Sequence, residues 1–164
     1  MIIEIDDWKF DVDLDATMQY SAAEAAEHCT CGYCRNFYAA VDRFYPDLRP
    51  FLAQFGVEIE APDELIPYEP TVLEGFYAVC GRVLRFGSKP MSVDGLRICI
   101  AEPDDLHVNV FCPEPYFALN TGFMELSWLL EEKMEDVVSP ANEPSFLQDM
   151  TNRILGLFPK DNIQ

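Results

Sequence analysis

The stretch GFYAVCGRVLRFG, Gly75–Gly87, decides how the second half of the chain is read. It is aromatic and β-branched, and its apolar residues do not recur at helical spacing, so it predicts a strand. Toward the C-terminus, LRICIAEPDDLHVNVFC (residues 96–112) predicts a hairpin that turns at Pro103, Asp104 and Asp105. Leu96, Ile98, Ile100, Leu106, Val108 and Val110 then share one face, with Arg97, Cys99, His107 and Asn109 on the other. YFALNTGFMEL alternates through Phe117, Leu119, Thr121 and Phe123 and predicts another strand. SWLLEEKMED has helical propensity without a clear boundary, so residues 127–138 are left unassigned. Ser145 and Gln148 have capping-box spacing ahead of an amphipathic helix through Phe146, Met150, Ile154 and Leu157, which stops near Pro159.

Toward the N-terminus the period changes. Cys34, Phe37, Val41 and Phe44 recur at helical spacing and predict a helix over 31–45, stopped by Pro46. DLRPFLAQFG predicts a short helix with Asp47 as cap, Pro50 near its first turn and Gly56 at its end. Two consecutive helices form an αα-hairpin. SAAEAAEH reads as an Ala-rich helical turn behind a Ser21/Glu24 capping box. IIEIDDWKFDVDLD reads as a hairpin turning at Asp6 and Asp7, with Trp8, Phe10, Val12 and Leu14 on the buried face. The expectation is therefore one α+β domain over 1–164, an antiparallel sheet of about five or more strands packed against an αα-hairpin.

Charge narrows the function. Lys and Arg total 11 against 29 Asp and Glu, for a formal net charge of −18. Few cations are available to neutralise phosphates, which excludes nucleic acid and anionic membrane surfaces as partners. A basic protein suits the charge, but a solvated, self-repelling surface explains it more simply. MIIEIDDWKF has no basic and apolar regions of a signal peptide, and no apolar run reaches membrane-spanning length, so the cytoplasm is the expected compartment. There is no Gly-rich phosphate loop, nucleophile elbow or H-E-x-x-H motif. The carboxylates are too numerous to single out an acid/base pair.

The one concentrated feature is HCTCGYCRNF, residues 28–37. It supports three readings. Cys29, Cys31 and Cys34 supply up to three of the four ligands of a structural zinc. His28 is adjacent to Cys29 and poorly placed as a fourth. Cys80, Cys99, Cys112 or His107 would serve better from a distance. Alternatively, CGYC is a thiol redox couple. Cys31 would be the nucleophile acidified at a helix N-terminus beside Arg35, and Cys34 the resolving thiol. A thioredoxin-like context would need a strand directly before the motif and a cis-proline loop, and neither is legible. Finally, Cys34 continues the stripe of Phe37, Val41 and Phe44, so core burial explains it without function. Cys31 extends that stripe by its start, and Cys29 is left unexplained.

The motif CTCGYCRNF resembles the C-x-C-x-x-C-R-N-F signature of a bacterial family of small, acidic, functionally uncharacterised proteins. YPDLRPFLAQFGVEIEAPDEL, GFYAVCGRV and SWLLEE are similar to further segments of that family, although Ser127 stands where a proline is expected. The resemblance implies a soluble bacterial α+β protein and no activity. Cys29, Cys31, Cys34, Arg35 and Asn36 fall on its motif. Taken together, these readings favour a non-enzymatic cytoplasmic binding or interaction domain with a structural zinc, and a thiol redox protein as the alternative.

Overall fold

The computed structural model describes residues 1–27, 29–108 and 110–137. The chain divides into two units, Met1–Leu130 and Glu131–Gln164. In the second unit the described residues hold one short helix, Met134–Val137. The helix expected over 145–157 lies outside the described residues.

The first unit begins with the expected hairpin, β1 (Ile2–Ile5) and β2 (Trp8–Val12), with Asp6 at positive φ in its turn. Trp8, Phe10 and Val12 are buried as the alternation requires. Leu14 does not continue the strand. Asp13 caps α1 (Leu14–Ala26), its carboxylate accepting the Ala16 N–H at 3.1 Å. The Ser21/Glu24 cap is therefore replaced by one eight residues earlier. Ser21 lies buried inside the helix, where its hydroxyl accepts the Glu58 N–H at 2.7 Å.

Helix α2 (Gly32–Phe44) and helix α3 (Leu48–Ala53) follow, with Cys31 as the N-cap of the first and Tyr45 as its C-cap. Cys34, Phe37 and Val41 are buried as expected, but Phe44 is exposed. Asp47 stands at the N-cap of α3 without a side-chain capping bond. Leu48, Phe51, Leu52 and Phe55 are all buried. Phe55 meets Phe10 at 5.3 Å and Phe117 at 6.3 Å, edge to face, which fixes the helical pair against the sheet. Each such buried ring contributes about 1.5–3 kcal/mol. The exposed fork of Arg49 onto Asp42 and Glu60 contributes about 1 kcal/mol or less. The aromatic contacts therefore decide the docking.

Among the described residues the sheet has seven antiparallel strands, in keeping with the five or more expected. The others are β3 (Glu64–Glu69), β4 (Val72–Arg85), β5 (Met91–Val93), β6 (Leu96–Ala101) and β7 (Tyr116–Glu125). The order is β1-β2-β4-β7-β6-β5, with β3 also paired to β4. Gly75–Gly87 thus lies largely on the longest strand, which pairs with β2, β3 and β7. Gly122, at φ +63, marks an irregular stretch of β7 opposite Glu74–Phe76, so the alternation slips. Thr121 is buried, but Phe123 is exposed and Met124 takes the inward place.

The hairpin expected over 96–112 is not present. Leu96–Ala101 is a strand, but Pro103–Asp105 is a 3₁₀ turn, and among the described residues no strand follows until Tyr116. The hairpin here is β5–β6, turned at Asp94 (φ +50) and Gly95 (φ +81). Two successive positive φ values are what a two-residue hairpin turn needs, and Asp-Gly supplies them. Residues 127–130, in the unassigned stretch, are not helical. Among the described residues no helix is long and apolar enough to cross a membrane.

Candidate metal centre

Helix α2 positions the cysteine cluster. Its 13 residues carry Phe37, Ala40 and Val41 into the core, so the helix cannot rotate without exposing them. Asn36 adds a polar lock. Its Nδ2 donates to the Ser127 carbonyl at 3.2 Å, and its Oδ1 accepts the Leu129 N–H at 2.7 Å. The R-N-F part of the motif is thus partly structural, with Asn36 clamping the chain after β7 and Phe37 filling the core.

At the N-terminus of this fixed helix, Cys31 is the exposed N-cap and Cys34 lies buried in the first turn. Cys29 is exposed on the preceding segment, and its sulfur accepts the Cys31 N–H at 3.5 Å. The three sulfurs all lie within 4.8 Å of one another. Zn–S bonds of about 2.3 Å in a tetrahedron space their sulfurs about 3.8 Å apart, so only a small contraction would seat an ion. Three soft thiol donors on such a spacing could hold a metal ion. Among the described residues no fourth donor joins the group. Cys80 and Cys112 form a separate buried pair, Cys99 is half-buried on β6, and His107 is exposed. His28 lies outside the described residues.

The electrostatics favour charge on Cys31. A hydrogen bond from the Cys34 thiol, opposed in part by desolvation, pulls the Cys31 thiol down to about 5. The Cys34 and Tyr33 N–H groups and the Cys29 thiol assist. The aligned dipoles of α2 act in the same sense. Cys34, as donor and buried, is pushed far up. A thiolate is both the nucleophile and the metal ligand, so this polarisation serves either chemistry. Tyr38 borders the cluster. Burial raises its phenol, and the neighbouring sulfurs of Cys34, Cys29 and Cys31 add to that. It stands four residues after Cys34, so helical spacing alone places it one turn above that thiol.

Helix α1, not a strand, precedes the motif, so the thioredoxin-like context is absent at that point. Glu114–Pro115 is a cis peptide, and Gly81 on β4 donates its N–H to the Pro115 carbonyl at 2.8 Å. No protein-family model, curated protein or solved structure matches this chain.

Proposed function

We propose that the protein is a non-enzymatic, cytoplasmic binding or interaction domain in which Cys29, Cys31 and Cys34 hold a structural zinc. The observation that carries this reading is the convergence of three sulfurs within 4.8 Å at the start of a helix. The ion would tie the segment before α2 to its first turn, and a donor from outside this group would complete the tetrahedron. A bound zinc would displace the thiol protons and offset the repulsion among the resulting thiolates, which the net charge of −18 sharpens. The acidic surface fits a basic protein as partner and disfavours nucleic acid and membrane. Membership of the bacterial family with the C-x-C-x-x-C-R-N-F motif is part of the same proposal and rests on the quoted residues. Elemental analysis of untagged protein is the test. About one zinc per chain, removed by chelator with a loss of thermal stability, is the expected result. Metal-free protein whose melting ignores chelator overturns it.

A second reading has a specific observation behind it. Cys31 is exposed at the N-cap while Cys34 is buried three residues on, the arrangement of an attacking and a resolving thiol. In that case the untagged protein is metal-free. Mild oxidation then joins Cys31 to Cys34, and Cys34→Ser leaves Cys31 trapped as a mixed disulfide with a small thiol.

A further inference from the structure

Away from the metal centre, two other cysteines meet. Cys80 on β4 and Cys112, in the segment leading to β7, are both buried, and their sulfurs are 3.0 Å apart. That is about 1 Å longer than a disulfide bond and closer than ordinary apolar contact between sulfurs. Burial alone explains a small apolar side chain at each position. It does not explain sulfur set against sulfur.

Backbone hydrogen bonds hold Cys80 and the chain just after Cys112 in place. The Cys80 N–H donates to the Thr17 hydroxyl at 3.1 Å, and the Cys80 carbonyl accepts the Asp13 N–H at 2.9 Å. On the other side, Gly81 donates to the Pro115 carbonyl, and Cys80 is in register with Tyr116. Ala16, Ala78, Tyr20, Val110 and Tyr116 surround the pair with largely apolar surface. Cys80 also borders a cleft of about 480 Å³ shared with Asp13, Gly81, Pro113 and Glu114. Cys80 is among the residues lining that cleft and Cys112 is not.

We propose that Cys80 and Cys112 form a reversible dithiol–disulfide pair, oxidised by a small hydroperoxide entering through this cleft, which clamps the segment ending at Cys112 onto β4. The Cys80 sulfur, having given up its proton, attacks the terminal peroxide oxygen. The O–O bond breaks, Cys80 becomes a sulfenic acid, and the leaving oxygen takes the proton to depart as water from hydrogen peroxide or as an alcohol from an organic hydroperoxide. The Cys112 sulfur then attacks the Cys80 sulfur. The S–O bond breaks, and hydroxide leaves with the Cys112 proton as a second water. The two thiols have lost two hydrogens and two electrons, and hydrogen peroxide has become two waters. A dithiol reductant reverses the bond by exchange and is itself oxidised to its disulfide.

Burial and the hydrogen bond with Cys80 push the Cys112 thiol up, with the neighbouring Asp63 charge adding to this. Its thiolate is scarce, so the bond forms more slowly than oxidation at exposed Cys31. The product carries no charge and no donor, so the same burial favours it once formed.

The test uses the full chain. Protein is treated with hydrogen peroxide, quenched with catalase, unfolded in acid to suppress exchange, and alkylated. Digestion with trypsin and an Asp-specific protease that cuts before aspartate separates Cys80, Cys99 and Cys112, because Arg82, Arg97, Asp104 and Asp105 lie between them. The expected result is a Cys80–Cys112 linked peptide pair that dithiothreitol dissolves, with a higher melting temperature for the oxidised protein. Cys112→Ala should abolish the link and leave Cys80 without a cysteine partner. Recovery of Cys80 and Cys112 as alkylated thiols after peroxide treatment extended well beyond full oxidation of Cys29 and Cys31 overturns the proposal. So does over-oxidation of Cys80 without a link, or linkage of either residue to another cysteine.

Discussion

Leu129 donates its N–H to the side-chain carbonyl of Asn36 at 2.7 Å, and through this bond the chain after β7 is held to the helix that carries the cysteines. The same amide donates to the Ser127 carbonyl at 3.2 Å, so one almost fully buried side chain satisfies two backbone groups of a segment with no regular structure. Asn36→Ala would leave both without that partner, at a cost of about 1–3 kcal/mol. Asn36→Asp should cost more. It keeps the acceptor for Leu129 but sets a carboxylate oxygen against the Ser127 carbonyl. Urea unfolding of the two variants checks the order, and equal stability of Asp and parent would contradict it.

Gly81 is a second place where the fold allows little substitution. It sits at φ +147 on β4, opposite Val12, and a Cβ there would stand 2.2 Å from the Asp11 carbonyl oxygen. Neither the φ nor the clash can relax without separating β2 from β4. Gly81→Ala should therefore lose about 3 kcal/mol or more. Amide exchange should quicken along β2 before it does along β7. A variant within about 0.5 kcal/mol of the parent would show that β2 can move aside.

Asp63 gives a pH dependence. Its carboxylate accepts the Tyr20 hydroxyl and the Ala78 N–H, the latter at 2.6 Å. Burial nevertheless outweighs these bonds and holds its carboxyl above the usual Asp value. From the unfolded value of about 3.9 up to the raised folded value, the folded state binds the proton more tightly. Stability from this group is thus fully present below that window and falls as pH rises through it. Asp63→Asn removes the titration. It also turns an amide donor toward either the Ala78 N–H or the Tyr20 hydroxyl, at a cost of about 1–3 kcal/mol. The stability gap between parent and variant should narrow as pH rises from about 4. Paired denaturant titrations across that range measure it, and a constant gap would count against a raised Asp63.

The elements legible in the sequence were those whose signal is local. Val72–Arg85, Tyr116–Glu125 and the α2 stripe each carry their period within one segment. The error at 96–112 came from two competing turn signals. Pro103-Asp104-Asp105 reads as a turn and is one, but it closes a 3₁₀ bend and does not return a strand. Asp94-Gly95, only a few residues earlier, was the stronger hairpin signal. Within the site, the spacing of Cys29, Cys31 and Cys34 was enough to bring them together, because a helix start and a short lead-in leave little freedom. What Asn36 holds, and the meeting of Cys80 with Cys112, depend on partners 91 and 32 residues away in sequence. No local period encodes such pairings.

The cysteine trio separates its readings most sharply through two serine variants. Cys34 is buried beside a helix face that includes Phe37 and Val41, so Cys34→Ser places a hydroxyl in apolar surroundings, at a cost of about 1–3 kcal/mol if it finds no partner. Cys29 is exposed, so Cys29→Ser removes no core contact, and only the loss of a ligand could make it expensive. If the trio holds zinc, both variants lose metal and melt lower. Both also become indifferent to chelator, while the parent loses stability when chelated. Cys31→Ser should behave like Cys29→Ser toward metal and chelator, because Cys31 is also an exposed residue. If burial is the whole explanation, Cys34→Ser alone is destabilised and chelator changes nothing in any of the proteins. Thermal melts of parent and variants, each with and without chelator and each with its metal content measured, distinguish the two. A metal-free parent together with a silent Cys29→Ser would leave Cys34 as a core residue and remove the site.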